Sequence, residues 1–148
     1  MPLATDEGQN ERFVEDLSDD LVKAHLKHGP KVPAVQSTVH IYPINGAVHD
    51  VESDATAFGN RDANFSTVIA GMWPDAKDNE ANIKWVREYA AATAPFSREG
   101  GYINFQSADD AGRAEKSYGA SYRRLADIKK KYDPTNFFRV NQNIQPAG

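Results

Sequence analysis

The chemistry open to this chain is limited first by a residue type it lacks. There is no cysteine, which excludes thiol nucleophiles, disulfides, zinc–thiolate sites and a thiol tether to a cofactor. A scatter of histidine, arginine, tyrosine and amide side chains remains. His25 and His28 stand three apart at an apparent helix end, a spacing compatible with metal ligation. No further ligand stands at a convincing spacing, and imidazoles capping a helix C-terminus explain the pair more simply, so no metal is expected. His40 and His49 flank Asn45-Gly46 and would meet across a hairpin as surface or cavity lining. Arg61, in AFGNR, reads as half of a structural salt bridge. The segment YDPTNFFRVNQNIQP, residues 132–146, has no helical or strand period, yet carries Phe137, Phe138, Asn141, Gln142, Asn143 and Gln145 behind an Asp-Pro turn. Disordered tails are usually charged and poor in aromatics, so this segment reads as one held against something.

The elements that must position these residues follow from periodicity. A stripe of Phe13, Leu17, Leu21 and Ala24 predicts a helix from about Asn10 to Leu26, stopped by His28-Gly29-Pro30. QSTVHIYPINGAVHDV predicts two β-runs around Asn45-Gly46, and NFSTVIAGMW a strand covered on both faces. A helix with Ile83, Val86 and Ala90 on one face starts after Asp78 and ends near Pro95. GGYINFQ predicts a short strand entered through a glycine pair, with Tyr102 and Asn104 on one face because strand side chains alternate. A last helix over about 114–131 would bury Tyr118, Tyr122, Leu125 and Ile128, and must stop before Pro134. Its run of Arg123, Arg124, Lys129, Lys130 and Lys131 reads as a solvated face. Without strict βαβ alternation, the fold class is α+β, a mainly antiparallel sheet covered by helices.

Bulk properties narrow the partners. At 148 residues with 40% hydrophobic and 26% charged side chains, the chain has the size and balance of one globular domain. Its net charge of −4 argues against nucleic acid, whose phosphates require a basic footprint. No apolar run reaches membrane-span length and the N-terminus lacks a signal-peptide pattern, so a cytoplasmic chain with no membrane partner is expected.

Four blocks taken together resemble the C-terminal part of the berberine bridge enzyme-like family of FAD-linked oxidoreductases. They are GAVHDVESDATAFGNRDANFSTVIAGMW, NIKWVREYAAATAPFSREGGYINF, YGASYRRLADIKKKYDPTNFF and the closing NQNI. The first matches the family's Gly-Ala-Val strand, Thr-Ala-Phe and Trp-ending strand. The second matches its Trp-containing helix and Tyr-x-Asn strand, and the third its Tyr-Asp-Pro-x-Asn-x-Phe. Their order and spacing over residues 35–146 carry the resemblance.

The resemblance implies residues 1–9 as a flexible lead-in, 10–131 as a partial substrate-binding domain and 132–148 as a segment returning to the flavin site. It implies FAD as cofactor, its main binding half absent from this chain, which has no glycine-rich phosphate loop. It places Tyr102 over the flavin as a base and Asn104 at the flavin edge. A tyrosine in that role needs donors or cations nearby to draw its pKa down from about 10. Asn141 and Asn143 would face the FAD domain, with Tyr132 and Phe138 packed beneath, and Arg61 would lie beside the substrate cavity. Asn60 stands where the family often has His, which puts a histidine role there aside. The implied activity is oxidation of an alcohol, sugar or amine-bearing carbon by hydride transfer to FAD, the isolated chain being incomplete. The alternative is a non-catalytic interaction module that forms a homodimer or pairs with a separate FAD-binding domain or subunit. The partners expected are thus that FAD-binding part and a small-molecule substrate.

Overall fold

The structure, a computed structural model, describes residues 9–106, 114–140 and 142–148. Three strands, β1 (Gln9–Val14), β2 (Thr38–Pro43) and β3 (Phe65–Ala70), form an antiparallel sheet in the order β1–β3–β2. The α+β class and the antiparallel sheet are therefore as expected. Pairing places Phe13, Ser66 and Tyr42 opposite one another in one row, and Glu11, Val68 and His40 in the next but one. Side chains alternate along a strand, so both rows share a face. Ile69 points to the other face. There it meets Trp85, Val86, Tyr89 and Ala90 of α2 (Asn79–Thr93), with Val39 half-buried against the cluster. These helical positions recur at three- and four-residue steps, the period that puts side chains on one stripe. Each large apolar side chain buried there adds about 2 kcal/mol.

The segment read as one helix from Asn10 divides in two. Residues 9–14 are β1, and Gln9, assigned to the lead-in, begins it; α1 starts only at Asp19 and runs to His28. Ser18 sets that start: its Oγ accepts from the Leu21 amide at 3.3 Å, and Asp19 and Asp20 fill the first turn. Only Leu21 of α1 is buried, and polar contacts from Trp85 and Tyr89 dock the helix on α2. Trp85 Nε1 donates to the His28 carbonyl at 2.9 Å, pairing one of the acceptors that a helix end leaves open. His25 Nδ1 hydrogen-bonds the Tyr89 hydroxyl at 2.7 Å, while the His28 ring stacks on Tyr89 with centroids 5.5 Å apart.

Three further expectations are corrected. Asn45-Gly46 does not close a hairpin: β2 ends at Pro43 and Gly46–Val48 form a 3₁₀ turn. His40 instead stacks on Tyr42, and His49 Nε2 lies 3.2 Å from the Ala63 carbonyl. Tyr102–Asn104 is not a strand, because Ile103–Phe105 coil into a 3₁₀ turn. The last helix is broken at Gly119, whose φ of 52° is left-handed, into α3 (Ala114–Tyr118) and α4 (Ser121–Tyr132). Ser117, Ser121 and Ala126 are buried, whereas Ile128 is 44% exposed. α4 does end before Pro134, as expected.

The glycine pair has a steric cause. Gly100, at φ 85°, passes so close to α3 that a Cβ would lie 2.8 Å from the Lys116 carbonyl. A Cβ on Gly101 would lie 2.6 Å from Glu11 Oε2 and 2.9 Å from the Glu11 carbonyl oxygen. The chain thus threads between a strand and a helix through a gap that admits no side chain.

Two outcomes test this packing. Burial holds the His25 imidazole below its ordinary 6.5 and pushes the Tyr89 phenol up to about 12; His28 is lowered as well, by desolvation and by Lys27 and Lys31. The unfolded chain therefore binds the two histidine protons more tightly, and stability drops as pH falls through about 6.5, far below the range in which Tyr89 titrates. The Tm should decline from about pH 7 to about pH 5, and His25→Gln should flatten that decline. Gly101→Ala should cost about 1–3 kcal/mol in denaturant unfolding by overpacking, and an unchanged midpoint would contradict the close approach.

Candidate functional site

Helices cover the Ile69 face of the sheet, and the opposite face opens onto a cleft of about 550 Å³. It is lined by Phe13, Tyr42, Ile44, Phe58, Ser66, Tyr102 and Phe105. Four rings follow one another edge-to-face along its wall. Phe13 and Phe58 have centroids 5.8 Å apart, Phe58 and Tyr102 6.2 Å, and Tyr102 and Phe105 5.5 Å. Each pair holds the next in the favoured edge-to-face geometry. Phe13 comes from β1, Tyr42 from β2 and Ser66 from β3, so strand pairing fixes the floor. Phe58 arrives on a loop that α4 supports: Ser121 Oγ donates to the Thr56 carbonyl at 3.2 Å and Arg124 Nη1 to that of Asp54 at 3.3 Å.

Tyr102 stands at the mouth of the cleft, 36% exposed, and its hydroxyl accepts a hydrogen bond from Asn104 Nδ2 at 2.8 Å. The two residues expected to share a strand face are thus brought together by a 3₁₀ turn. A second cleft of about 190 Å³ adjoins them, sharing Phe58 and Tyr102 with the first and lined also by Asn60 and Asn104.

Glu11 was not singled out from the sequence, yet it anchors the site from below. It is 4% exposed; its Oε1 accepts from Ser66 Oγ at 2.6 Å, and its Oε2 from the Tyr102 backbone amide. Strand alternation would have revealed it, since Glu11 and Phe13 are two apart, but a helical stripe claimed the segment. Ser66 carried its own signal, as one of two adjacent hydroxyl side chains, with Thr67, in the buried span of β3.

Arg98 ties down the segment that leads to Tyr102. Its guanidinium meets Asp62 at 2.6 and 3.0 Å and Glu15 at 2.9 Å, while its amide donates to the Phe13 carbonyl at 2.9 Å. The same guanidinium holds the Asp62 carboxyl below the usual range.

Arg61 does not line the aromatic cleft. It borders a polar hollow of about 390 Å³ with His49, Glu52 and Asp62. Among the described residues it has no ion pair. Its Nη2 donates to Thr56 Oγ1 at 2.8 Å and its guanidinium lies over Phe58, 5.5 Å from the ring centroid. It therefore backs a ring that lines the cleft.

The terminal segment returns toward the site along α4. Ala147 N donates to the Ala126 carbonyl at 3.1 Å, and Gln142 Nε2 to the Gln106 carbonyl at 3.2 Å, one residue beyond Phe105. Asn143 is half-buried, and its Oδ1 is enclosed with no donor among the described residues. Asn141 lies outside the described residues. Tyr132 and Phe138 do not pack beneath the amides, each being 75% exposed. The cause is the Asp-Pro turn, where the Asp133 carboxylate accepts from the Phe137 and Phe138 amides at 2.8 and 3.0 Å and turns both rings outward. Lys129 holds that carboxyl below the usual range. No group of three or more His, Asp or Glu gathers as a metal site among the described residues, and no described helix is long and apolar enough to cross a membrane.

Residues 101–145 match the family described as Berberine and berberine like. An FAD-linked oxidoreductase of Dictyostelium discoideum is 29% identical over 133 residues, which are 89% of this chain and 29% of that protein. Berberine bridge enzyme-like 17 of Arabidopsis thaliana is 32% identical over 71% of this chain and 23% of its own length. The crystal structure of a glycopeptide hexose oxidase complexed with teicoplanin superposes with a TM-score of 0.80 at 22% identity, covering 93% of this chain and 32% of that one. The chain thus spans less than a third of the relatives it matches. Carrying the berberine-like segment at its C-terminal end, it is related over most of its length to the berberine bridge enzyme-like FAD-linked oxidoreductases.

Proposed function

We propose that this chain supplies the substrate-side wall and the proton acceptor of an FAD-dependent oxidoreductase acting on an alcohol, sugar or amine-bearing carbon. The observation that carries this reading is the Tyr102 phenol at the mouth of an aromatic cleft, with Asn104 donating to its oxygen. Bound FAD would supply the hydride acceptor, the redox step belonging to the cofactor rather than the protein. Oxidising a carbinol or amine carbon also releases a proton from the attached oxygen or nitrogen, and the Tyr102 oxygen is placed to take it. The Asn104 hydrogen bond fixes the position of that oxygen. The aromatic wall excludes water and orients a ring-shaped substrate, and the hexose oxidase of similar fold makes a sugar one such candidate.

The residues present fit a flavin. Among the described residues, Asn143 Oδ1 and Gln106 Oε1 are enclosed acceptors with no donor, a state that costs about 1–3 kcal/mol for each group. A flavin ring edge carries an N–H between carbonyls and would meet such amides; Asn104, Asn143 and, from outside the described residues, Asn141 are assigned to it. The relatives' greater length leaves room for the main FAD-binding half to come from elsewhere. A second reading, an interaction module that pairs with a separate flavin subunit or with its own copy, draws on Phe137, Phe138 and Val140, exposed at 76%, 75% and 83%. Patches of that kind mark contact surfaces.

In the flavin-loaded protein that contains this chain, Tyr102→Phe should lower kcat by about 10²- to 10⁴-fold, the usual worth of a general base. The flavin absorbance should be retained. A kcat within about twofold of the parent would remove Tyr102 from the chemistry. For this chain alone, FAD at about 100 times its Kd should raise stability by about 2.7 kcal/mol. A melting temperature indifferent to FAD, in a chain whose mass in solution doubles with concentration, would favour the interaction module.

A further inference from the structure

The cleft is built largely from aromatic rings, and the most buried hydroxyl among the residues that line it belongs to Ser66. Ser66 Oγ stands between Phe13 and Tyr42 in the strand row, is 7% exposed, and donates its proton to Glu11 Oε1 at 2.6 Å. Glu11 is held in place from its other oxygen, which accepts from the Tyr102 amide, and by Gly101, whose missing side chain lets the carboxylate lie against the turn. A hydroxyl has one proton and two lone pairs. With the proton committed to a buried carboxylate, Ser66 can offer the cleft only an acceptor, and one made more electron-rich by its charged neighbour.

We propose that the Ser66–Glu11 pair is the specificity determinant of this cleft: Ser66 Oγ selects a ring compound carrying a hydroxyl or amino donor and rejects the same ring bearing an ether or ketone in that place. The inference rests on the cleft being the substrate site. Ser66 is the acceptor that discriminates, and Glu11 is a positioning residue that acts through it. The selection has a physical source. A ligand oxygen without a proton would face the Ser66 lone pairs with no hydrogen between them, whereas a donor replaces the water bond it gave up. A site built to pair with one polar group discriminates against its absence far more strongly than an apolar pocket discriminates shape. Tyr102 lies across the same cleft, so the selected ligand carries a second polar group at the carbon that Tyr102 serves.

Naphthylmethanol and its methyl ether probe this directly, their binding to the chain followed by ligand-observed NMR. The parent chain should bind the alcohol about tenfold more tightly than the ether, a ratio equivalent to about 1.4 kcal/mol. Ser66→Ala should bring the two affinities together. Glu11→Gln, nearly the same shape, offers an amide N–H to Ser66 and releases the hydroxyl proton into the cleft, so the preference should shrink or reverse. Circular dichroism of both variants confirms that the fold is kept; should Ser66→Ala unfold, Glu11→Gln decides alone. Equal binding of alcohol and ether to the parent, or a preference undiminished in either folded variant, overturns the Ser66 assignment and leaves the cleft as the substrate site. Binding of neither probe overturns the cleft itself.

Discussion

A buried carboxylate must find donors, and two that Glu11 finds among the described residues hold this site together. One is the Ser66 hydroxyl on the neighbouring strand, the other the backbone amide of Tyr102, ninety-one residues away in sequence. Leaving such a group unpaired costs more than any single surface contact returns, so the sheet floor and the Tyr102 turn are fixed to each other. Gly101 is the steric counterpart of the same constraint, because any side chain there would strike the carboxylate. The position of the Tyr102 ring, and with it the edge-to-face series from Phe13 to Phe105, follows from these two contacts.

The sheet divides the labour of the molecule between its faces. The Ile69 face is closed by α2, with α1 docked through Trp85 and Tyr89, and this is where apolar burial accumulates. The opposite face stays open, with Tyr42 and Phe105 at 45% and 38% exposure, as a ligand wall requires. Apolar burial is concentrated on the closed side, and the open side is the one a ligand of the proposed cleft would meet. β2 sits at the boundary, its last four residues exposed, and contributes Tyr42 to the cleft, with Ile44 just beyond its end.

The terminal segment shows how a turn can present apolar groups rather than bury them. Asp133 satisfies two amides of the Phe137-Phe138 pair, Lys129 binds that carboxylate at 2.5 Å, and Asn136 adopts a positive φ of 52°. The rings are fixed in an outward position by ordered polar contacts. Meanwhile Gln142 and Ala147 carry the chain back along α4 toward Gln106. A peptide with this construction holds two surfaces at once, amides inward and aromatics outward.

The sequence by itself determined what rests on short-range pattern. The stripe of α2, the apolar run of β3, the stop at Pro134 and the blocks that mark the berberine-like family all depend on residues a few positions apart. Tertiary structure decided the rest, because those outcomes rest on pairing between distant segments. Phe13, Leu17 and Leu21 fit a helical stripe, but β1 forms because Glu11 and Phe13 pair with Val68 and Ser66 across the sheet, and the true helix waits for the Ser18 cap. Asn45-Gly46 looked like a hairpin turn, yet the partner of β2 is β3, twenty residues on. Tyr102 and Asn104 were legible as a pair from their types, whereas their contact comes from a 3₁₀ turn. Local preferences are worth tenths of a kcal/mol per residue, and a buried carboxylate with its donors outweighs several of them.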